Sequence, residues 1–252
     1  MLSSYSSLAT EVYDITKPIG HSFGDIEFYL ERLKGCTGSI LEPAVGSGRM
    51  LIPLLEAGFL VDGIDNSPEM LTSCSDRCKE RGFTPNLYEG KMQDFKLENK
   101  YEAVIVPTGS ILLLENREES LQALQTFYEH LLPGGRLIID IFLQTDFNLN
   151  QVSTSTWTTP DHNVITLESK IVEVDFLNQY TIKYLKYEKW SNGKLIETEL
   201  QRFPLRWYGV EEFKGILEKI GFTNIVISSN YKYGELPKDA NQSITFEAIR
   251  PN

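Results

Sequence analysis

The stretch "SILEPAVGSGRMLIPLLEAG" (39–58) places an acid, Glu42, at the end of a strand-like run, then Gly46 and Gly48 in a tight turn before apolar residues at helical spacing. Strand, glycine turn and helix together are how α/β proteins hold a nucleotide. This turn is a poor pyrophosphate site. The third position of G-x-G-x-x-G, where glycine lets helix and strand pack closely, is Leu51, and the Glu42 carboxylate would repel phosphates. The same carboxylate suits a nucleoside-like ligand with a positive end and no phosphates. S-adenosylmethionine (SAM) has that make-up: adenosine, a sulfonium and an ammonium.

The other reactive side chains are sparse. Cys74 and Cys78 lie four apart on an expected helix with no histidine pair nearby, which is not a zinc spacing, so no metal is expected. With Cys36 they read as reduced thiols of a cytoplasmic protein. His21 reads as a lone surface histidine, and His130, ending an amphipathic helix, as structural or favoured by the helix dipole. No strong catalytic base stands out.

The elements that position these residues alternate. Residues 1–35 read as two short helices, with Asp25 as N-cap of the second. Strands follow at "FLVDGID" (59–65), "TPNLYEG", "YEAVIVP" (101–107) and "RLIIDIFL" (136–143). Between them lie the helix "SPEMLTSCSDRCKERG", with Ser67 as cap and Pro68 first in the helix, and "REESLQALQTFYEHLLPGG" (117–135). This βαβ order argues for a parallel sheet covered on both faces. From about 152 to 207 the helical period vanishes. "NVITLESKIVEVDF", "YTIKYLKYEKW" and "KLIETELQRFPLRW" read as antiparallel strands, and "SNG" as a hairpin turn. A helix (209–221) and the strands "FTNIVIS" and "SITFEAIR" close the chain.

A chain of 252 residues can bury a substantial core, and 41% apolar with 23% charged residues is ordinary for a globular protein. A net charge of −11 argues against nucleic acid or an anionic membrane as the main partner. The start "MLSSYSSLATEVYD" lacks the basic segment and apolar core of a signal peptide, and no apolar run is long enough to span a bilayer. The expected setting is the cytoplasm.

Four pieces in order resemble the class I SAM-dependent methyltransferases, most closely the sugar N-methyltransferases and glycine N-methyltransferase-like enzymes. They are "LEPAVGSG", "VDGIDNSPEML", "GKMQDF" and "LLPGGRLIID", followed by a late "VEEFKGILEKIGFTNIVI". Glu42 stands where aspartate is commoner, and "VPTGS" after the fourth strand lacks the signature of nucleic-acid amino methylation. The resemblance implies an α/β, Rossmann-like doubly wound sheet of seven strands, the last antiparallel, plus an antiparallel β insertion. It implies a SAM-binding domain of residues 1–151 and 208–252 with an N-terminal lid (1–35), and a substrate-side cap at 152–207.

It further implies cofactor contacts from Tyr13 in the lid, from Glu42, Pro43, Ala44 and Gly46 in the first turn, and from Asp65, whose carboxylate takes the ribose hydroxyls. Asn66 and Met70 lie beside the adenosine, though Met70 reads equally as core. Asp94 takes the adenine amino proton, with Met92 and Gln93 flanking the ring. Pro107 ends the fourth strand near the sulfonium. Arg206 and Tyr208, where the insertion rejoins the sheet, would hold the acceptor. The expected activity is methyl transfer to N or O of a small molecule, yielding S-adenosylhomocysteine. The alternative is a SAM sensor without turnover; a nicotinamide oxidoreductase is opposed by Glu42 and the missing glycine. The insertion's aromatics suit either a substrate pocket or a homodimer surface.

Overall fold

Short, wholly buried strands carry the centre of the molecule. In the computed structural model, which describes residues 5–149 and 151–252, β1 (Ile40–Pro43) and β2 (Val61–Asp65) expose no residue. Strands buried on both faces belong in a parallel sheet with helices above and below. With β3 (Leu87–Glu89), β4 (Tyr101–Val106), β5 (Leu131–Ile141), β10 (Thr223–Ser229) and β11 (Ile244–Ile249), they form a seven-stranded sheet ordered β10-β11-β5-β4-β1-β2-β3. The pairs from β5 to β3 are parallel; β11 runs antiparallel to both neighbours.

The two-residue period of the strands feeds two cores. Leu41, Val104 and Ile139 pack on one face with Phe127 of α5 (Arg117–His130) and Phe213 of α6 (Val210–Ile220). Ile40, Ala103 and Ile138 point the other way, onto α2 (Asp25–Arg32), α3 (Leu51–Glu56) and α4 (Pro68–Lys79). Ser67 caps α4, its hydroxyl accepting from Met70 N at 3.1 Å, with Pro68 leading the helix. Helix α5 ends at His130 rather than running to 135, because Leu131 already pairs with Tyr101. Arg250 collects the freed carbonyls of Tyr128 at 3.0 Å and Leu131 at 2.5 Å.

The second sheet is antiparallel, in the order β6 (Val152–Thr158), β7 (Val164–Asp175), β8 (Tyr180–Ser191), β9 (Lys194–Arg206). Strand β6 has no counterpart in the sequence reading, since its Ser/Thr-rich run is nearly all exposed and shows no apolar alternation. Asn192 (φ 49°) and Gly193 (φ 75°) make the tight β8–β9 turn. Helix α1 (Ser7–Thr16) ties this cap to the main sheet. Leu8, Ala9 and Val12 pack on Ile165 and Tyr187, Lys189 pairs with Glu11 at 2.7 Å, and Asp14 pairs with Arg77 of α4 at 3.0 Å. Among the described residues no helix is long and apolar enough to cross a membrane.

Candidate functional site

A cleft of about 630 Å³ opens between the tips of β1–β4, helix α1 and strand β9. The β1–α3 turn supplies part of one wall. Ala44 (φ 58°) and Gly46 (φ 55°) both lie on the wall, and both have left-handed backbone. Gly48 (φ 86°) is fixed by space as well, since a Cβ there would meet Cys74 Sγ at 2.9 Å.

Asp65 organises the next turn. Its carboxylate accepts from Gly46 N at 2.8 Å and Ser67 N at 2.9 Å, joining the β1 and β2 turns. Burial raises its pKa, and the N–H groups of Ser67, Gly46 and Asn66 pull it back toward the charged form. Asn66, Met70, Met92, Gln93 and Tyr13 also reach the wall. Gln93 is buried, and its carboxamide oxygen has no partner among the described residues. Tyr13 packs edge-on against Tyr5, whose carbonyl accepts from the Ser67 hydroxyl at 2.7 Å.

Glu42 and Pro43 lie behind this wall. Glu42 is 2% exposed, one carboxyl oxygen is unpartnered, and burial pushes its pKa well up against the opposing pull of Arg49. Arg49 is committed elsewhere, donating to Asp25 at 3.2 and 2.5 Å and to the His21 carbonyl at 2.9 Å. Asp25 is therefore not the N-cap of α2. Gly24 (φ 90°) takes that position, and Asp25 enters the helix as the buried half of an ion pair.

Besides Glu42 and Pro43, four expected residues lie off the wall: Asp94 and Pro107 of the cofactor set, and Arg206 and Tyr208 of the acceptor pair. Asp94 is exposed, because the turn after β3 aims Gln93 inward and its neighbour outward. Pro107 is buried behind Thr108 and Gly109, which do line the cleft. Tyr208 is wholly buried against Phe213 and does not line the cleft. Arg206, 2% exposed, is likewise off the wall; its guanidinium donates twice to the Glu115 carbonyl, at 3.1 and 2.6 Å. It supports the segment that carries Glu115 rather than facing the cleft. His130 is a packing residue: Nδ1 donates to Thr126 O at 2.8 Å and Nε2 accepts from Leu97 N at 3.1 Å. The three cysteines are free thiols.

Of the opposite wall the sequence reading held only Phe203, one of the insertion's aromatics. There Glu115, Glu119, Phe142, Gln201, Arg202 and Phe203 face the void. Arg202 forks onto Glu115, one of the two contacts measuring 2.9 Å. Nothing local marks the residues besides Phe203: Glu115 lies in a loop, Glu119 in the first turn of α5, Phe142 just past β5, and Gln201 and Arg202 on a strand with mixed polarity on both faces. The cleft floor between the two walls is a kink in the 3₁₀ segment Pro107–Leu113, where Thr108 (φ 53°) and Gly109 (φ 72°) are both left-handed. Asp140 secures it, accepting from Thr108 N at 2.8 Å, Thr245 Oγ1 at 2.6 Å and the Tyr231 hydroxyl at 3.3 Å. Burial pushes the Asp140 carboxyl up to about 6 despite these donors.

A family model described as "Methyltransferase domain" matches residues 40–135. The glycine/sarcosine N-methyltransferase of Halorhodospira halochloris is 33% identical over 118 residues, 45% of this chain and 44% of that one. The dTDP-3-amino-3,6-dideoxy-alpha-D-glucopyranose N,N-dimethyltransferase of Streptomyces fradiae is 28% identical over 143 residues, 55% of this chain and 54% of that one. The aligned stretch thus spans about half of each of these relatives. Among solved structures, the sugar N-methyltransferase KedS8 from Streptoalloteichus sp ATCC 53650 shares the fold at a TM-score of 0.72 and 20% identity, over 95% of this chain and 93% of that one.

Proposed function

We infer that this chain, a class I SAM-dependent methyltransferase, transfers the methyl group to an amine nitrogen of a small molecule seated between the strand tips and β9. The observation that carries this reading is a single cleft shared by two unlike walls. One wall has the turns of a nucleoside site, and the other has carboxylates, Glu115 and Glu119, that suit a cationic acceptor. The relatives named above act on amines by their names, glycine or sarcosine in one case and a 3-amino sugar in the other.

Two orphaned atoms fit the cofactor. The unpartnered oxygens of Glu42 and Gln93, both buried, match a ligand with an ammonium at one end and an amino-bearing base at the other. In this reading Asp65 takes the ribose hydroxyls. Asn66, Met70 and Met92 enclose the adenosine, and Gln93 takes the adenine amino group. Ala44, Gly46 and Tyr13 surround the amino-acid end, with the Glu42 carboxyl behind them. SAM, when bound, supplies a methyl group already activated by its sulfonium, so the chain has no leaving group to activate. Its work is to hold the amine in line once its ammonium form has released a proton to solvent, exclude water beneath the cap, and let the methylated product shed its own proton.

A diffusible acceptor in the cytoplasm, without a nucleic-acid partner, is part of the proposal, supported by the net charge of −11. Exposed Tyr184, Ile196 and Leu200 on the cap sheet support pairing of two copies. The test is incubation with isotopically methyl-labelled SAM and a panel of small amines and alcohols, read by mass spectrometry. Label on nitrogen is expected. Label on oxygen alone, or SAM binding with no product from any acceptor, overturns it.

A further inference from the structure

We infer that the acceptor is an unphosphorylated, hydroxylated amine, and that Gln201 is the residue that recognises it; this rests on the amine reading above. Gln201, on β9, is 3% exposed and lines the cleft, and its carboxamide oxygen has no partner among the described residues. Buried carboxamides are ordinarily satisfied, and one left open on a cleft wall is matched by a ligand group instead. A carboxamide both donates and accepts, which complements a hydroxyl. The other unpartnered carboxamide on the wall, Gln93, follows β3 on the far side of the cleft, with Gly90 and Met92.

Charge decides against a phosphorylated acceptor. The charged groups on the cap-side wall are Glu115, Glu119 and Arg202. Arg202 and Glu115 neutralise each other through their forked pair. Glu119 has no cation partner among the described residues. A phosphate against this wall would therefore meet net negative charge, with its one arginine already held by a carboxylate. The nearby N-terminus of α5 does not offer an anion site either. The Asn116 side chain accepts from the N–H groups of Glu118 at 2.8 Å and Glu119 at 3.4 Å, and both residues add acid to the first turn. The other cations of the cleft stand on the opposite side: Lys17, just past α1, lies over the Tyr13 ring at 4.6 Å, and Lys91 follows β3. An ammonium flanked by hydroxyls satisfies the same surface, with the Phe142 and Phe203 rings against its carbon skeleton. This sets the chain apart from the dTDP-linked sugar named for its Streptomyces fradiae relative.

The experiment is calorimetry on the full chain saturated with S-adenosylhomocysteine. The titrants are free 2-, 3- and 4-amino-deoxy-glucoses and, separately, the dTDP-linked 3-amino-3,6-dideoxyglucose. At least one free amino sugar should bind about tenfold or more tightly than the dTDP-linked one. Gln201→Leu should weaken that binding by about tenfold, as for loss of a ligand hydrogen bond, with S-adenosylhomocysteine affinity held within about threefold. Because the Gln201 carboxamide oxygen has no partner among the described residues, the ligand-free variant should melt no lower than the wild type. Tighter binding of the dTDP-linked sugar, no binding of any free amino sugar, or unchanged affinity in the variant overturns the inference. So does a marked fall in its melting temperature, which would make Gln201 a structural residue; Gln201→Met repeats that check. Gln201-dependent binding of a free amino sugar that is never methylated upholds the subsite and overturns the amine-transfer reading instead.

Discussion

Replacing Gly109 by alanine tests whether the floor of the cleft is as tightly specified as its geometry implies. Gly109 adopts φ 72°, and a Cβ built there would lie 2.4 Å from Cε1 and 2.8 Å from Cδ1 of Phe142. Two costs add. A left-handed backbone costs a residue with a side chain about 1–2 kcal/mol. Forcing a methyl into filled space costs about 1–3 kcal/mol more, because the Phe142 ring must leave its rotamer or the backbone must shift. The expected loss is about 2–5 kcal/mol, or about 4–20 °C in melting temperature for a chain of this size. The assay is urea denaturation of the wild type, Gly109→Ala, Phe142→Ala and the double variant. The clash component should vanish when the ring is removed, so the cycle should show a coupling of about 1–3 kcal/mol that favours the double variant. A loss below about 1 kcal/mol in Gly109→Ala, or a deficit untouched by Phe142→Ala, would refute the reasoning, showing that the kink relaxes freely.

Asp65→Ala should weaken SAM binding by about ten- to a hundredfold through lost charge-assisted hydrogen bonds, and calorimetry showing wild-type affinity would remove Asp65 from the site. Asp25→Ala leaves the buried Arg49 charge unpaired, the two side chains being 0% and 3% exposed, so denaturation should reveal a loss of about 3–5 kcal/mol. A cost under about 1 kcal/mol would mean that water reaches Arg49. Asp140 carries a carboxyl pushed up to about 6 by burial, against an ordinary 3.8. Its folded form holds the proton more tightly, so its contribution is full below pH 3.8 and is lost as pH rises through about 6. The stability difference between wild type and Asp140→Asn should therefore shift by about 3 kcal/mol against the wild type between pH 4 and 7, and a flat difference would contradict the assignment.

What the sequence determined by itself was local and periodic. Glycine turns, a Ser-Pro helix start, two-residue apolar alternation and the order of strand and helix each depend on a few neighbouring residues. They were enough to place Glu42, Gly46 and Asp65 at the tips of adjacent strands, because parallel strands joined by helices must end on one edge of the sheet. Facing was beyond it. Whether Asp94 or Gln93 turns inward depends on a single turn after β3. Whether Arg206 meets a ligand or the Glu115 carbonyl depends on how β9 docks on the segment 107–115. Strand β9 carries polar and apolar residues on both faces, so its pattern does not say which face is covered. Only the docking of the cap onto the main sheet, through partners far apart in the chain, buries Gln201 on the cleft wall and joins Arg202 to Glu115. It likewise takes the packing of α2 against the β1 turn to bury Asp25 against Arg49. Burial and pairing between distant residues are set by the energy of the whole packing, and no short stretch of chain contains them.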